Sequence, residues 1–451
     1  MSVELIWKHQ QKTYELMKES LQTNKRAAYV FPTGCGKSFP TLKYIEDNPD
    51  KNILIVSPSR GINNQYKKYI EEHIENGAER LKNKNITIVT YQKISLMKRL
   101  VKNLKIDTIV LDEVHRAGAK TWDPAINALI NDFPEVEVIG MSATPERTDK
   151  RNMANEIFGN NVVYEMSLTE ALSGEKEDEV VLKTPRYVRT ISLLKEQIKG
   201  YKEEIELIED EEKKKRLLKK FETLDEIISN APGLEDIMLQ GMQNKNGKYI
   251  VFCKDRDDLE EKMNEAQKIF GKVNSKIHMD YVLTKDDVGD VLGKTQKENI
   301  KILEEFEKRK ETDELNLLFC VDMLNEGIHI EGIDGVVLFD LTNSPVLYQQ
   351  RIGRALSVDK DAEETVIIDP ANNWLNQIET YRKIEGAINS GSSRINPSTK
   401  NDLLELLPNE TDLLNIMREI GEELKYNNKF SLIYSKEIKK PCIIAVILKN
   451  K

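Results

Sequence analysis

With 451 residues, the chain is long enough for two or more domains, each with its own core. Hydrophobic residues make up 39% of the sequence, and no apolar run approaches the length of a membrane span, so we expect a cytoplasmic protein without a membrane partner. The 4 cysteines and 5 histidines are scattered, which argues against a zinc site or a disulfide framework. A net charge of -9 gives no overall support for nucleic-acid binding, although a local basic groove is compatible with it.

Near the N-terminus, Gln10 precedes a helical pattern. A glutamine amide offers one acceptor and two donors, which suit the N6 amine and N7 of adenine. Because one helix and one strand separate Gln10 from a phosphate-binding loop, we predict that it reads adenine. Trp7 either stacks on the same base or is a buried core residue.

The phosphate-binding loop reads FPTGCGKS over residues 31–38, between an apolar run at 27–30 and a helical stretch at 39–45. The glycines let backbone N–H groups point inward, Lys37 reaches the outer phosphates, and the Ser38 hydroxyl suits Mg²⁺. The strict motif would begin with glycine, and Phe31 stands there instead. The residues predicted to hold the nucleotide are Thr33, Gly34, Cys35, Gly36, Lys37 and Ser38.

Further short apolar runs alternate with helical stretches, which indicates a parallel sheet with helices on both faces. Ligands of such sheets bind at the carboxyl ends of the strands. The runs cover residues 53–56, 86–89, 106–111 and 136–141, and the polar segments after them are 57–66, 90–92, 112–115 and 142–145.

Asp112 and Glu113 directly follow the fourth apolar run. Two adjacent carboxylates at the end of a buried strand are costly unless a cation or a reaction uses them. We predict that Asp112 holds Mg²⁺ through water. Glu113 would then accept the proton of the water that attacks the γ-phosphate of ATP.

Gln10, the PTGCGKS loop, the DEVH segment at 112–115 and the SATP segment at 142–145 occur in this order and spacing. Together they resemble the superfamily 2 helicases and translocases of the DExH type. The RAGA segment at 116–119 extends the likeness towards the bacterial branch that includes restriction-enzyme motor subunits. The resemblance implies an ATP-dependent helicase or translocase with two RecA-like α/β domains in tandem, and it points to phage defence or restriction as a setting.

The composition changes after the first α/β pattern. Apolar residues step by three and four through 194–208 and again through 217–228, which predicts two amphipathic helices. This helical arm either packs on its own body, or guides a strand, or binds a protein partner. The predicted division is 1–167 for the ATP-binding domain, 168–246 for a helical insertion, 247–371 for a second RecA-like domain and 372–451 for a small C-terminal extension without an assigned role, which is a second candidate for binding a protein.

The second α/β pattern has no phosphate loop, so it should complete one ATP site rather than form another. Its segments 321–330 and 348–357 resemble the fifth and sixth helicase motifs. The resemblance implies that Arg354 is an arginine finger and that Gly327 contacts the nucleotide. It also implies that Arg351 supports Arg354 by pairing across the cleft, and the Asp112–Glu113 pair is a candidate partner. Ser357 and His329 stand where the family has an arginine and an aspartate.

The resemblance also implies that nucleic acid, with DNA favoured over RNA, lies across both domains and is held through its backbone. The implied contacts are Ser59, Arg60, Gln65, Thr90, Gln92 and Cys253 with the loop after it. The residues implied to link nucleotide state to domain closure are His115, Ser142 and Thr144. The alternative function is an ATPase switch that separates no strands, while a small-molecule kinase is disfavoured by Glu113, SATP and the second domain.

Overall fold

A computed structural model shows how these segments are arranged. It describes residues 3–82, 85–96, 105–119, 122–143, 153–159, 161–174, 181–229, 233–283, 292–309, 313–322, 324, 330–357, 364–371, 373–377, 380, 384, 416, 419–420, 423–424 and 441–445. Over these residues, none of the helices combines the length and the apolar composition that crossing a membrane requires.

The first domain is built on a parallel sheet that has six strands in the described residues, in the order β3-β2-β4-β5-β1-β6. The predicted apolar runs form β1 to β5, whereas β6 was not predicted. The two central strands, β4 and β5, are buried almost throughout because helices cover both faces of the sheet. The strands are β1 (Arg26–Val30), β2 (Ile53–Ser57), β3 (Ile86–Thr90), β4 (Thr108–Asp112), β5 (Glu137–Ser142) and β6 (Val162–Glu165).

The helices of this domain begin where the sequence supplies capping groups. At the start of α3, the Ser59 hydroxyl accepts a hydrogen bond from the main-chain N–H of Ile62 at 3.3 Å. Helix α1 ends at Lys25, whose φ of 59° is left-handed. The helices are α1 (Lys8–Asn24), α2 (Ser38–Asp47), α3 (Arg60–Glu75), α4 (Tyr91–Leu96), α5 (Asp123–Asp132), α6 (Met153–Phe158) and α7 (Leu168–Ser173), with short 3-10 helices at Glu79–Lys82 and Val114–Arg116.

The second domain is built on a sheet whose described strands have the order β13-β7-β12-β11-β8-β10-β9. All of its pairings are parallel except that of β13, which runs antiparallel to β7. The strands are β7 (Thr184–Leu194), β8 (Lys248–Phe252), β9 (Ile277–Val282), β10 (Leu315–Cys320), β11 (Gly335–Leu338), β12 (Glu364–Asp369) and β13 (Pro441–Ala445).

Residues 168–246, predicted to be a helical insertion or linker arm, also contain strand β7. It pairs with β12 from Thr184 opposite Glu364 to Arg189 opposite Asp369, so the second sheet begins inside this range. The sequence concealed the strand because Pro185 and two arginines interrupt its apolar residues, and no continuous hydrophobic run marks it.

The two predicted amphipathic helices follow β7 and pack against the rest of the molecule. Their described apolar residues Ile205, Leu217 and Leu224 are fully buried. Lys213 donates from Nζ to the main-chain oxygen of Glu423 at 2.8 Å, which holds the arm against the C-terminal segment. The helices after β7 are α8 (Lys195–Glu206), α9 (Glu211–Ser229), α10 (Leu234–Gly241), α11 (Arg256–Asn264), α12 (Ala266–Phe270), α13 (Gln296–Lys308), α14 (Pro345–Leu356) and α15 (Asn373–Asn376).

The two domains contact each other directly. Lys183, in the segment that joins them, is buried and donates from Nζ to the main-chain oxygen of Ile333 at 3.0 Å. An ion pair between Lys68 of α3 and Glu307 of α13, with 3.0 Å between Nζ and Oε2, connects the two domains near the protein surface. Helix α14 also lies against the loop that precedes α2, where Gly353 comes close to Thr33.

Candidate active site

The phosphate-binding loop lies between β1 and α2, as predicted. Gly34 and Gly36 have φ values of +94° and +69°, which side chains rarely adopt. A Cβ atom at Gly36 would also collide with the amide of Gln10. The hydroxyl of Tyr29 donates to the main-chain oxygen of Lys37 at 2.7 Å and fixes the end of the loop. The loop therefore has the open backbone that a phosphate group requires.

Gln10 is buried against this loop. Its Nε2 donates to the main-chain oxygen of Cys35 at 3.5 Å, and its Oε1 accepts from the main-chain N–H of Trp7 at 3.4 Å. Trp7 is half-buried and packs at the edge of the core. The structure thus brings both predicted adenine contacts to the loop, and their role towards adenine stays a prediction.

The two carboxylates lie where β4 ends. Lys37 forms an ion pair with Glu113, and the main-chain N–H of Ala143 donates to Glu113 Oε2 at 3.3 Å. Glu113 has a φ of 49°, an uncommon left-handed conformation for a residue other than glycine. Such strain persists only where the surroundings fix it, and it is frequent at functional sites.

The surroundings shift the pKa values of Asp112 and Glu113 in opposite directions. Burial, and then the charge of Glu113, raises the pKa of Asp112. Burial also opposes the charge of Glu113, but Lys37 and His115 outweigh it and lower the pKa of that carboxyl. Glu113 is therefore ionised at neutral pH, and its basicity would rise if Lys37 turned to a phosphate instead. Asp112, which is costly to ionise, would gain most from a nearby cation.

The predicted metal ligands fit Mg²⁺ chemically. Ser38 and Asp112 both offer oxygen atoms, which are the ligands this ion prefers. Ser38 directly follows Lys37, and Lys37 pairs with Glu113, the neighbour of Asp112, so both predicted ligands lie at the same end of the sheet. Tyr29, whose hydroxyl donates to the main-chain oxygen of Lys37, was missed by sequence reasoning, since one tyrosine within an apolar run carries no signal of a site.

His115 and Ser142 are in contact, as expected for residues that act together. The Nδ1 atom of His115 lies 2.8 Å from Ser142 Oγ and 3.5 Å from Glu113 Oε2. The side chain of His115 thus joins the carboxylate to the end of β5. The third residue predicted for this role, Thr144, lies outside the described residues.

Arg354 faces this cluster from α14 of the second domain. Its side chain is buried and donates from Nε to the main-chain oxygen of Leu324 at 2.9 Å. Burial lowers the pKa of the guanidinium to about 10, and the opposing charge of Glu113 across the cleft limits that shift. Arg354 therefore remains a cation at neutral pH.

Small residues let α14 approach the phosphate-binding loop. A Cβ atom at Gly353 would lie 2.8 Å from Thr33 Cβ, and one at Gly34 would lie 2.7 Å from Ser357 Oγ. Ser357 is itself buried. A larger side chain at this position would therefore have to displace its neighbours.

The described ion pairs of Arg351 lie within its own domain, and the predicted pairing with Asp112 and Glu113 is not among them. The NH2 group of Arg351 lies 2.5 Å from Asp340 Oδ2 and 3.8 Å from Asp322 Oδ1, both in the second domain. Asp340 comes just after the end of β11, so it belongs to the same domain as α14. Two other predicted positions, Gly327 and His329, lie outside the described residues.

The predicted nucleic-acid contacts of the first domain follow β2 and β3, which are neighbours in the sheet. Arg60 and Gln92 are exposed. Gln65 donates to the hydroxyl of Tyr69 at 2.9 Å, and Thr90 Oγ1 accepts from the N–H of Lys93 at 3.2 Å. Together with Ser59, the cap of α3, they form one polar edge.

Cys253 does not belong to such a surface. Its thiol is buried beneath the second sheet, and burial raises its pKa well above the usual range. A buried thiol cannot touch a nucleic acid, so the prediction for this side chain is wrong. The exposed residues of the loop that follows are Lys254 and Asp255.

Comparison with known proteins gives matches in both domains. The family described as "Type III restriction enzyme, res subunit" matches residues 5–147, and "Helicase conserved C-terminal domain" matches residues 219–359. "DNA 3'-5' translocase XPB2" of Sulfurisphaera tokodaii is 24% identical over 258 residues, which are 51% of this chain and 57% of the relative. This chain thus spans a little over half the length of that relative.

Two solved structures share the fold. The "ATP-dependent Type ISP restriction-modification enzyme LlaBIII bound to DNA" superposes with a TM-score of 0.54 at 15% identity, covering 93% of this chain and 33% of that one. A fragment of a "putative HsdR subunit of a type I restriction enzyme" from Vibrio vulnificus YJ016 gives a TM-score of 0.52 at 20% identity, covering 81% of this chain and 66% of that one. The two family matches, which jointly cover more than half of the sequence, show that the chain belongs to the superfamily 2 helicases and translocases.

Proposed function

We propose that this protein is a nucleic-acid motor that hydrolyses ATP in the cleft between its two RecA-like domains. One observation carries the proposal: helix α14 of the second domain, which carries Arg354, packs against the phosphate-binding loop of the first domain at Thr33 and Gly34. Lys37 of the same loop is paired with Glu113. A base, a phosphate-binding lysine and a cation from the opposite domain are the groups that phosphoryl transfer to water needs.

The chemistry follows from these side chains. Lys37 exchanges its pairing with Glu113 for the phosphates of ATP, and this leaves the Glu113 carboxylate free to take a proton from the attacking water. Arg354 neutralises charge that develops on the transferred phosphoryl group. Ser38 and Asp112 would hold Mg²⁺, which when bound supplies charge to the phosphate oxygens.

Hydrolysis in this arrangement depends on the domains being closed. Arg354 reaches the site only while α14 lies against Thr33 and Gly34, where Gly353 and Ser357 allow close contact. A nucleic acid held by both domains favours the closed form, and hydrolysis of ATP lets the domains open again. Repeating this cycle would move the protein along a strand through backbone contacts, without regard to sequence.

DNA is the proposed substrate, and restriction or phage defence is the proposed setting. The archaeal relative is described as a DNA translocase, and the solved restriction enzyme is bound to DNA. The polar edge formed by Ser59, Arg60 and Thr90 offers hydroxyl and guanidinium groups, which suit phosphate contacts.

The test is ATP hydrolysis measured with single- and double-stranded DNA and RNA at one fixed salt concentration, because phosphate contacts weaken with salt. We expect DNA to stimulate hydrolysis several-fold, and Lys37→Ala to abolish it as proof that the activity belongs to this chain. Stimulation by RNA alone would reverse the choice of substrate. Hydrolysis that no nucleic acid changes would favour the alternative, an ATPase switch within a larger complex.

A further inference from the structure

The first turn of α1 is hydrogen-bonded to the phosphate-binding loop. His9 is buried, with 1% of its surface exposed, and its Nε2 atom lies 2.9 Å from the main-chain oxygen of Cys35. Because a carbonyl oxygen can only accept a hydrogen bond, Nε2 carries the proton and donates it. The amide of Gln10 donates to the same oxygen from 3.5 Å, so His9 is the nearer of the two donors.

The imidazole of His9 is held in place by its packing. Its ring meets the edge of the Phe31 ring, with 4.8 Å between the ring centres and 79° between the ring planes. Phe31 is itself buried and packs against the rings of Tyr29 and Tyr164. The aromatic residue that replaces the first glycine of the strict motif therefore supports the donor that bonds to the loop.

The hydrogen bond to Cys35 sets the direction of the next backbone N–H. In a planar trans peptide, the C=O of one residue and the N–H of the next point in opposite directions. Because His9 holds the oxygen of Cys35 towards α1, the N–H of Gly36 points away from α1. A loop that binds phosphate needs its N–H groups turned towards the anion and its carbonyl oxygens turned away from it.

Gln10 cannot replace His9 in this task, because it serves other groups as well. Its Oε1 accepts from the main-chain N–H of Trp7 at 3.4 Å, and its amide is the predicted contact of adenine. When the amide turns to the base, the oxygen of Cys35 keeps the bond from His9. The imidazole thus holds the loop whatever Gln10 contacts.

We infer that His9 is a positioning residue that orients the Cys35–Gly36 peptide, so that the N–H of Gly36 is aimed at the phosphates of the nucleotide. This inference rests on the proposed function, because it needs a loop that binds nucleotide phosphates. It gives a part in phosphate binding to a residue outside the predicted site. His9 acts through the main chain and does not touch the reacting atoms.

The experiment observes this peptide directly, with ADP as the probe. Among the 4 cysteines, only Cys35 is followed by glycine, so ¹³C-carbonyl cysteine combined with ¹⁵N-glycine gives one HNCO signal, that of Gly36. We expect this signal to shift as ADP binds to the parental protein. His9→Phe keeps a ring against Phe31 but lacks the donor, and it should weaken ADP binding about 10-fold.

The conservative variant is His9→Gln, which restores a side-chain N–H donor and should recover most of the lost affinity. The matched control is Thr13→Val, one turn further along α1. Thr13 is buried, and its hydroxyl has no hydrogen-bond partner in the part of the chain that the structure describes. The control should bind ADP as the parental protein does.

Three outcomes would overturn the role of His9. They are parental ADP affinity in His9→Phe, an equal loss of affinity in Thr13→Val, and a Gly36 signal that saturating ADP leaves unmoved in the parental protein. A parental protein that binds no ADP under any condition would instead refute the proposed function itself, which separates the two failures.

A second measurement keeps His9 in place. The ¹⁵N shifts of its imidazole, assigned by their loss in His9→Gln, report which ring nitrogen carries the proton. We expect a proton on Nε2, because only a protonated nitrogen can donate to the oxygen of Cys35. A ring protonated on Nδ1 alone would overturn the inference without any use of His9→Phe.

Discussion

The two sides of the cleft are built differently. The first domain supplies Lys37, Asp112 and Glu113 from the ends of strands, and their charges interact with one another inside the site. The second domain supplies one helix, on which Arg351 is paired within its own domain while Arg354 is buried beside the phosphate-binding loop that α14 contacts. Under the proposed function, the first side would bind the nucleotide and the second side would set the rate of its hydrolysis.

The largest effect is expected from Arg354→Ala. Removal of an arginine finger lowers kcat of related phosphoryl-transfer enzymes by about 1000-fold or more. ADP binding should remain close to parental, because the nucleotide is held by the first domain. Single-turnover hydrolysis and ADP titration measure the two quantities separately.

The control for this prediction is Arg354→Lys, which keeps the charge but lacks the planar fork. It should recover only part of the lost rate. If Arg354→Ala weakened ADP binding and left kcat unchanged, the division between a binding side and a rate-setting side would be wrong.

Glu113→Gln tests the base on the first side. Loss of a general base costs about 100-fold to 10,000-fold in rate, and we expect the lower part of this range because Arg354 and Lys37 remain. ATP should still bind, since the amide retains the shape of the carboxylate. A variant that hydrolyses ATP at the parental rate would show that another group takes the proton.

Arg351→Ala should affect stability rather than the reaction itself. The substitution leaves Asp340, whose side chain is 16% exposed, without its cation and removes the guanidinium that packs over the Phe252 ring. Breaking a largely buried ion pair in this way costs about 3–5 kcal/mol. Urea unfolding should show the loss in the second domain. The double variant Arg351→Met with Asp340→Leu should recover most of it, and a single variant of parental stability would contradict the pairing.

The first side of the cleft could be predicted from the sequence because its signals are local. A buried strand, two glycines and Lys37 are adjacent in the chain, and Asp112 and Glu113 follow directly on an apolar run. The strand ends then meet because parallel strands share a carboxyl edge.

The second side of the cleft could be predicted less completely, because its arrangement depends on contacts between segments that are distant in the sequence. Arg351 and Arg354 are both part of one motif, and the spacing alone does not tell which of them faces the cleft. That choice depends on Asp340, which follows a different strand. Strand β7 was missed because its pairing with β12 stabilises a sequence with few adjacent apolar residues.

Ser357→Arg restores the family's arginine and tests the close contact of the two sides. Because Ser357 packs against Gly34, the larger side chain must push α14 away from the loop, at a cost of about 1–3 kcal/mol typical of overpacking. We expect kcat to fall several-fold rather than rise. Ser357→Ala is the matched control and should be close to parental; faster hydrolysis in Ser357→Arg would mean that the site accepts a second finger.

The smallest effect is expected from His115→Ala. His115 joins Glu113 to Ser142 without lying on the path of the phosphoryl group, so its removal should disturb communication more than chemistry. The stimulation of hydrolysis by DNA should fall about fivefold, a typical size for the coupling between two sites, while hydrolysis without DNA changes little. Ser142→Ala should give the same result, because it removes the other half of the same hydrogen bond. If basal and stimulated hydrolysis fell equally, His115 would act in the chemical step itself. The first side of the cleft would then bind nucleotide and catalyse its hydrolysis, and it would have no separate part in communication with DNA.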